Sequence, residues 1–208
     1  MKNHVKNLAE VKNYKSHILV IAGSDCGGGA GIQADIKVVT MLGCYAATCV
    51  TGITVQDTSR VYQVFTLPEK LISDQIRVIC EDLKIEAIKI GMLPNKESII
   101  EVASSLPKSV PVVLDPVMVA TSGDKLSTDD SVEFLRRYLI PKSTIITPNI
   151  SESEVLSGIN IQNEEDMMIA GEKILSLGAK AVLIKGGHLL LGSGLHDITD
   201  ILLFSKDI

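Results

Sequence analysis

Short runs rich in Val, Ile and Leu recur along this chain, each separated from the next by a loop or a segment of helical length. The runs are HILVIA (17–22), YAATCVTGITV (45–55), VYQVFTL (61–67), EAIKIGM (86–92), PVVLDPV (111–117), STIITP (143–148) and AVLIKG (181–186). Several are continuously apolar, the pattern of strands buried on both faces. Between them, PEKLISDQIRVICEDL puts Pro68 at a helix start and repeats Leu71, Ile72, Ile76, Ile79 and Leu83 at helical spacing. TDDSVEFLRRYL opens on Thr128, Asp129 and Asp130, residue types that cap helices. NEEDMMIAGEKILSLG opens on Asn163, carries acids in its first turn and closes on Gly178. The tail HDITDILLF reads as one more strand after a turn at LGSG.

Strands alternating with helices of this length predict βαβ units and a mostly parallel sheet, an α/β fold. The 208 residues suit one domain, expected over 17–208. Residues 1–16 are polar and basic, lack the apolar centre of a secretory signal, and read as an N-terminal extension.

Composition narrows the function. Net charge is −5, aromatics are 3% and there is no basic block, which argues against nucleic-acid binding. No apolar run reaches the ~18 residues of a membrane span. Cys26, Cys44, Cys49 and Cys80 form no C-x-x-C pair, so they read as reduced thiols of a cytoplasmic protein rather than zinc ligands.

In open α/β sheets ligands bind outside the carboxyl ends of the strands. The glycine loop IAGSDCGGGAGIQAD follows the first strand there, yet it matches neither phosphate pattern. No Lys-Ser or Lys-Thr follows it, as a P-loop requires, and Ile32 or Ala34 stands where a dinucleotide fingerprint has its third glycine. Asp35 lies one helical turn past Gly31, on the face toward the loop. A carboxylate repels phosphate and suits a hydroxyl or amino group. The plain alternative is a solvated acid near a helix start.

Later strand ends have a different character. Asp115 ends an apolar strand, where an unpaired charge is costly, and suits magnesium or its waters. Asn149 and Glu152 in TPNISE can join it, or Asn149 or Ser151 can simply cap a helix at SESEVL. Lys185 is placed to neutralise a nucleotide phosphate, or to form an ordinary ion pair. Together these ends suggest two half-sites, one for a small acceptor and one for a nucleotide, the layout of a small-molecule kinase.

The segments IAGSDCGGGAGIQADIK, TGITVQDT, IKIGML, VVLDPVMVATSGDKL, IITPNISESEVLSG and AVLIKGGHL occur in the order seen in bacterial hydroxymethylpyrimidine/phosphomethylpyrimidine kinases of thiamine biosynthesis. The resemblance runs from about Ile18 to Phe204. It implies a ribokinase-like three-layer αβα sandwich, and phosphorylation of 4-amino-5-hydroxymethyl-2-methylpyrimidine and then of its monophosphate by magnesium ATP. It also implies roles. Asp35 and Gln56 resemble the residues that hydrogen-bond the aminopyrimidine and its hydroxymethyl group. Gly23, Met92 and Val117 resemble walls around the ring. Asp115, Asn149 and Glu152 resemble the magnesium and nucleotide side, with Asp115 and Glu152 toward the metal, and Lys185 resembles a phosphate contact. A pyridoxal or pyridoxine kinase is the near alternative, and a non-catalytic pyrimidine-binding remnant the more distant one.

Two departures from the family shape the expectations. Its usual loop reads S-D-x-S-G-G-A-G, whereas Cys26 and Gly27 stand before Gly28 here. The family also continues into a G-T-G-C-T turn whose amides form the anion hole, and no G-x-G-C occurs in this sequence. The fold is therefore expected to be incomplete at its C-terminal end, with Gly192-Ser193-Gly194 a poor substitute. That predicts pyrimidine binding with little phosphorylation, and an exposed apolar face favouring self-association, with a homodimer as the expected state.

Overall fold

A computed structural model describes residues 14–118, 128, 130–187 and 198–205. Eight strands form one sheet: β1 (His17–Asp25), β2 (Tyr45–Gln56), β3 (Val61–Thr66), β4 (Ala87–Ile90), β5 (Val112–Leu114), β6 (Ile145–Ile146), β7 (Ala181–Ile184) and β8 (Ile201–Phe204). Their spatial order is β3-β2-β1-β4-β5-β6-β7-β8. Only the β2–β3 and β7–β8 pairs are antiparallel. Most of these runs become interior strands, β1 most deeply buried, as a continuous apolar pattern predicts, whereas VYQVFTL becomes the edge strand β3 with Tyr62 and Phe65 exposed.

Helices α1 (Gly31–Met41), α2 (Glu69–Asp82), α3 (Lys96–Ser105), α4 (Ser131–Phe134), α5 (Ile150–Ser157) and α6 (Glu164–Leu175) connect them. The main core lies on one sheet face, where Leu19, Ile21, Ile88 and Ile90 meet Ile72 and Ile76 of α2, Ile99 of α3 and Met167 of α6. On the opposite face Val20 and Ala22 pack against Ile32 of α1. Each buried Val, Leu, Ile or Met side chain contributes about 1.5–3 kcal/mol. On that second face Leu202 and Phe204 of β8 remain exposed, while β8 turns Leu203 toward Gly171 of α6.

Several boundaries differ from the sequence reading. The expected strands at 86–92, 111–117 and 143–148 pair only over four, three and two residues. Their ends leave the ladder, and Met92, Asp115 and Val117 from the first two line the cleft described below. The expected helix over 128–139 begins at Ser131, and no side chain at Asp130 caps it; instead Thr128 Oγ1 donates to Asp130 Oδ1 at 2.6 Å. It continues as a π turn over Leu135–Leu139 and a 3-10 turn over Ile140–Lys142. Asp129, the turn at 191–194 and the start of the tail at 196–197 lie outside the described residues.

Helix α3 is absent from the sequence reading. Its Ile99, Ile100 and Val102 are weak helix formers. What fixes it is a capping box: Asn95 Oδ1 accepts from Ser98 N at 2.9 Å, and Ser98 Oγ accepts from Asn95 N at 3.3 Å. The other caps follow the sequence more closely, with Pro68 preceding α2 and Asn163 Oδ1 accepting from Asp166 N at 2.9 Å.

Candidate active site

Chain direction through the sheet reverses at β1. The crossover through α1 leads outward to β2, and the later strands add on the other side through β4. Such a switch point opens a crevice at the carboxyl ends of the strands. A cleft of about 560 Å³ lies there. Gly23, Asp35, Gln56, Met92, Asp115 and Val117 line it together.

The glycine loop is built around a buried acid that sequence reading passed over. Asp25 Oδ1 accepts from Gly27 N at 2.7 Å, and its Oδ2 accepts from Gly29 N at 3.0 Å and Ala30 N at 2.8 Å. Gln33 Oε1 accepts from Asp25 N at 2.9 Å, and Gln33 Nε2 donates to Ser24 Oγ at 2.7 Å. The amides that a phosphate-binding loop would offer are therefore occupied by a carboxylate of the chain itself. This explains why neither phosphate pattern fits. The loop enters α1 through Gly31, at φ +57°, where a Cβ would collide with the carbonyl oxygen of Gly23.

Asp35 stands one turn into α1, and it is not a solvated acid. Its Oδ2 pairs with Lys89 Nζ at 2.8 Å, with side chains 22% and 26% exposed. Lys89 also lines the cleft. Its sequence signal was a cation inside the apolar run EAIKIGM, a position where an unpaired charge is costly. Gly23 and Met92 touch closely: a Cβ on Gly23 would sit 2.8 Å from Met92 Sδ. Thr51 Oγ1 donates to the Met92 carbonyl at 2.7 Å and fixes that wall. Gln56 ends β2, and its backbone carbonyl accepts from the exposed Cys26 Sγ at 3.2 Å. The loop after it is organised by Asp57, whose Oδ1 accepts from Ser59 N and Arg60 N and whose Oδ2 accepts from Tyr62 Oη. The Ser59 hydroxyl also donates to Oδ1 at 2.6 Å, and this bond foremost, with the others, holds the Asp57 carboxyl well below the usual range.

The second group assembles at the ends of β5, β6 and β7. Lys185 Nζ meets Asp115 Oδ1 at 2.9 Å, and Thr147 Oγ1 lies 3.5 Å from the same oxygen. Lys185 bridges in parallel to Asn149. Asn149 does cap α5: its Oδ1 accepts from Glu152 N at 2.9 Å, while Glu152 Oε2 accepts from Asn149 N at 2.8 Å. Ser151 plays no part in this cap. Glu152 is buried, and burial raises its pKa, as does the nearby Asp115 charge. The backbone amides of Asn149 and Met118 and the Lys185 charge oppose the rise. Lys185 pairs with Asp115, while Glu152 feels the lysine charge without contacting it.

Among the described residues no three His, Cys, Asp or Glu side chains are grouped to hold a metal alone. Magnesium does not need such a group, because it keeps waters and takes one or two carboxylates beside substrate phosphates. Asp115 and Glu152 supply carboxylates of that number beside the cleft. Asp115 also lines the cleft that holds Gly23, Asp35 and Gln56, so the second group of polar residues adjoins the first there.

An eight-stranded, mostly parallel sheet flanked by helices, with a charged cleft at its switch point, defines the ribokinase-like class of α/β folds. Residues 25–207 match the family described as phosphomethylpyrimidine kinase, and the chain belongs to that family. It is 45% identical over 174 residues to the hydroxymethylpyrimidine/phosphomethylpyrimidine kinase of Aquifex aeolicus, covering 82% of this chain and 68% of that protein. It is 42% identical over 188 residues to the thiamine biosynthesis bifunctional protein ThiED of Geobacter sulfurreducens, covering 89% of this chain but 38% of the relative. The crystal structure of phosphomethylpyrimidine kinase from Clostridium difficile 630 has a TM-score of 0.83 at 45% identity, over 92% of this chain and 82% of that one. The pyridoxal kinase from Staphylococcus aureus in complex with AMP-PCP has a TM-score of 0.80 at 32% identity, over 92% and 69%.

Proposed function

We propose that this chain binds 4-amino-5-hydroxymethyl-2-methylpyrimidine and its monophosphate as phosphoryl acceptors, with ATP as donor. The observation that carries this reading is the convergence of Asp35, Gln56, Gly23, Met92 and Val117 on one cleft, although they come from five separate segments. The Asp35 carboxylate and the Gln56 amide provide acceptors and a donor for an aminopyrimidine edge and a hydroxymethyl group. Gly23, Met92 and Val117 give the flat ring a narrow apolar slot.

Asp115, Asn149, Glu152 and Lys185 form the donor side. Asp115 and Glu152 would hold magnesium, which would supply neutralisation of phosphate charge, and Lys185 contacts the phosphates. The relatives' names and the AMP-PCP-bound pyridoxal kinase support a nucleotide donor.

Calorimetric titration of the chain with hydroxymethylpyrimidine and with pyridoxal tests the acceptor. Tighter binding of the pyrimidine supports the reading, and tighter binding of pyridoxal replaces it with the vitamin B6 alternative, which the likeness to pyridoxal kinase keeps in view. A cytoplasmic protein fits the four free thiols, and no helix among the described residues is long and apolar enough to cross a membrane. Exposed Ile53 and Phe65, paired across the β2–β3 ribbon, and exposed Leu202 and Phe204 on β8 support a homodimer or other self-association. Light scattering behind a sizing column tests that state.

A further inference from the structure

The acceptor cleft is short of positive charge. Its described lining carries four carboxylates, Asp25, Asp35, Asp57 and Asp115, against two cations, Lys89 and Arg60. Arg60 is exposed and lies over the Tyr62 ring, 4.2 Å from its centroid. Lys89 is on the floor, half-buried on β4, one strand away from the strand that carries Asp115. Its ammonium folds over Gly91, where a Cβ would sit 2.8 Å from Nζ, so the glycine keeps that space open. Among the described residues this ammonium uses one contact, Asp35 Oδ2, and Asp35 Oδ1 has no partner. An ammonium has three donors. The pair therefore presents to the cleft one free acceptor oxygen and a cation with donors to spare.

We propose that Lys89 is a specificity-determining residue for a phosphorylated acceptor: it holds Asp35 by one contact and takes the phosphate of the pyrimidine monophosphate with its remaining donors. The proposal rests on the pyrimidine reading above. An uncharged hydroxymethyl acceptor needs only the free Asp35 oxygen and the amide of Gln56. A monophosphate brings about −1.5 to −2 charges at neutral pH into a cleft already rich in carboxylates. Lys185 lies beside Asp115 outside the residues that line this cleft, so Lys89 is the half-buried cation on the acceptor side. The same lysine gives one cleft two acceptors of different charge.

The test is calorimetric titration of the 208-residue chain, Lys89→Met and Asp35→Asn with hydroxymethylpyrimidine and with its monophosphate, without nucleotide, at low and high salt. Lys89→Met should weaken monophosphate binding about tenfold to a hundredfold more than hydroxymethylpyrimidine binding, the scale of a charge-assisted hydrogen bond. Asp35→Asn should move the ratio the other way, because Lys89 is released from its carboxylate. The monophosphate preference should also fall with salt in the parent chain and not in Lys89→Met. Equal loss of both ligands in Lys89→Met, or an unchanged ratio in both variants, would show that Lys89 merely orients Asp35 and overturn the proposal. If the unmutated chain binds neither compound, the pyrimidine reading itself fails and takes the proposal with it.

Discussion

Lys185 and Asp115 meet at 2.9 Å although 70 residues separate them in the chain. Their contact joins the ends of β5 and β7 across β6, and it places the last cation of the parallel sheet beside an acid that also lines the acceptor cleft. Asp115 is thus the residue at which the proposed acceptor and donor sides meet.

Asp115→Asn should weaken magnesium-nucleotide binding by about 1.5–3 kcal/mol, the scale of a hydrogen bond or contact to a charged group. Pyrimidine binding without nucleotide should change little, since Asp35 and Gln56 are untouched. Folding should lose no more than about 1 kcal/mol, because Lys185 is 41% exposed and water screens the pair. Titration with a non-hydrolysable ATP analogue, with and without magnesium, reads the difference. Loss of pyrimidine binding with the fold intact would contradict a division of labour between the two sides.

Glu152 predicts a pH dependence. Burial raises its folded-state pKa, so between the ordinary value and the raised one the folded chain binds more protons than the unfolded chain. Its contribution is fully present below the ordinary glutamate value of about 4.3 and is lost as pH rises through the raised folded value. Stability from this group therefore falls as pH rises from the ordinary carboxylate range. Glu152→Gln keeps an oxygen for Asn149 N and removes the titration. Urea unfolding across that window should show a flatter profile in Glu152→Gln than in the parent chain, and parallel profiles would contradict the assignment.

The two capping boxes separate structure from function. Asn95→Ala and Asn149→Ala should each lose about 0.5–2 kcal/mol of stability, since each removes an N-cap oxygen. Only Asn149→Ala should also reduce nucleotide binding. Denaturant titration paired with nucleotide calorimetry checks both, and equal nucleotide affinity in the two variants would leave Asn149 as a cap alone.

The strands were legible because Leu19, Ile21, Ile88 and Ile90 must be apolar to fill a two-sided core, and a local run records that need. Helix α3 left a weaker trace, since its start depends on Asn95 and Ser98 bonding each other rather than on strong helix formers. The site divides in the same way. Asp115 and Lys185 stood out as polar groups at strand ends, Asp35 by its place one helical turn past the glycine loop, and Gln56 by the family resemblance. The partner of Asp35 did not, because Lys89 lies 54 residues away and only the sheet brings β4 beside β1. Asp25 was legible in principle: an acid followed by glycines is a local turn signal, and its bonds reach no further than Ala30.

The central claim is that Asp35 and Gln56 read an aminopyrimidine in this cleft. Calorimetric titration of hydroxymethylpyrimidine into the parent chain, Asp35→Asn and Gln56→Ala tests it most directly. Binding by the parent, weakened by about 1.5–3 kcal/mol in each variant with unfolding little changed, is the predicted result. Unchanged affinity in both variants, or no binding by the parent chain, would contradict it.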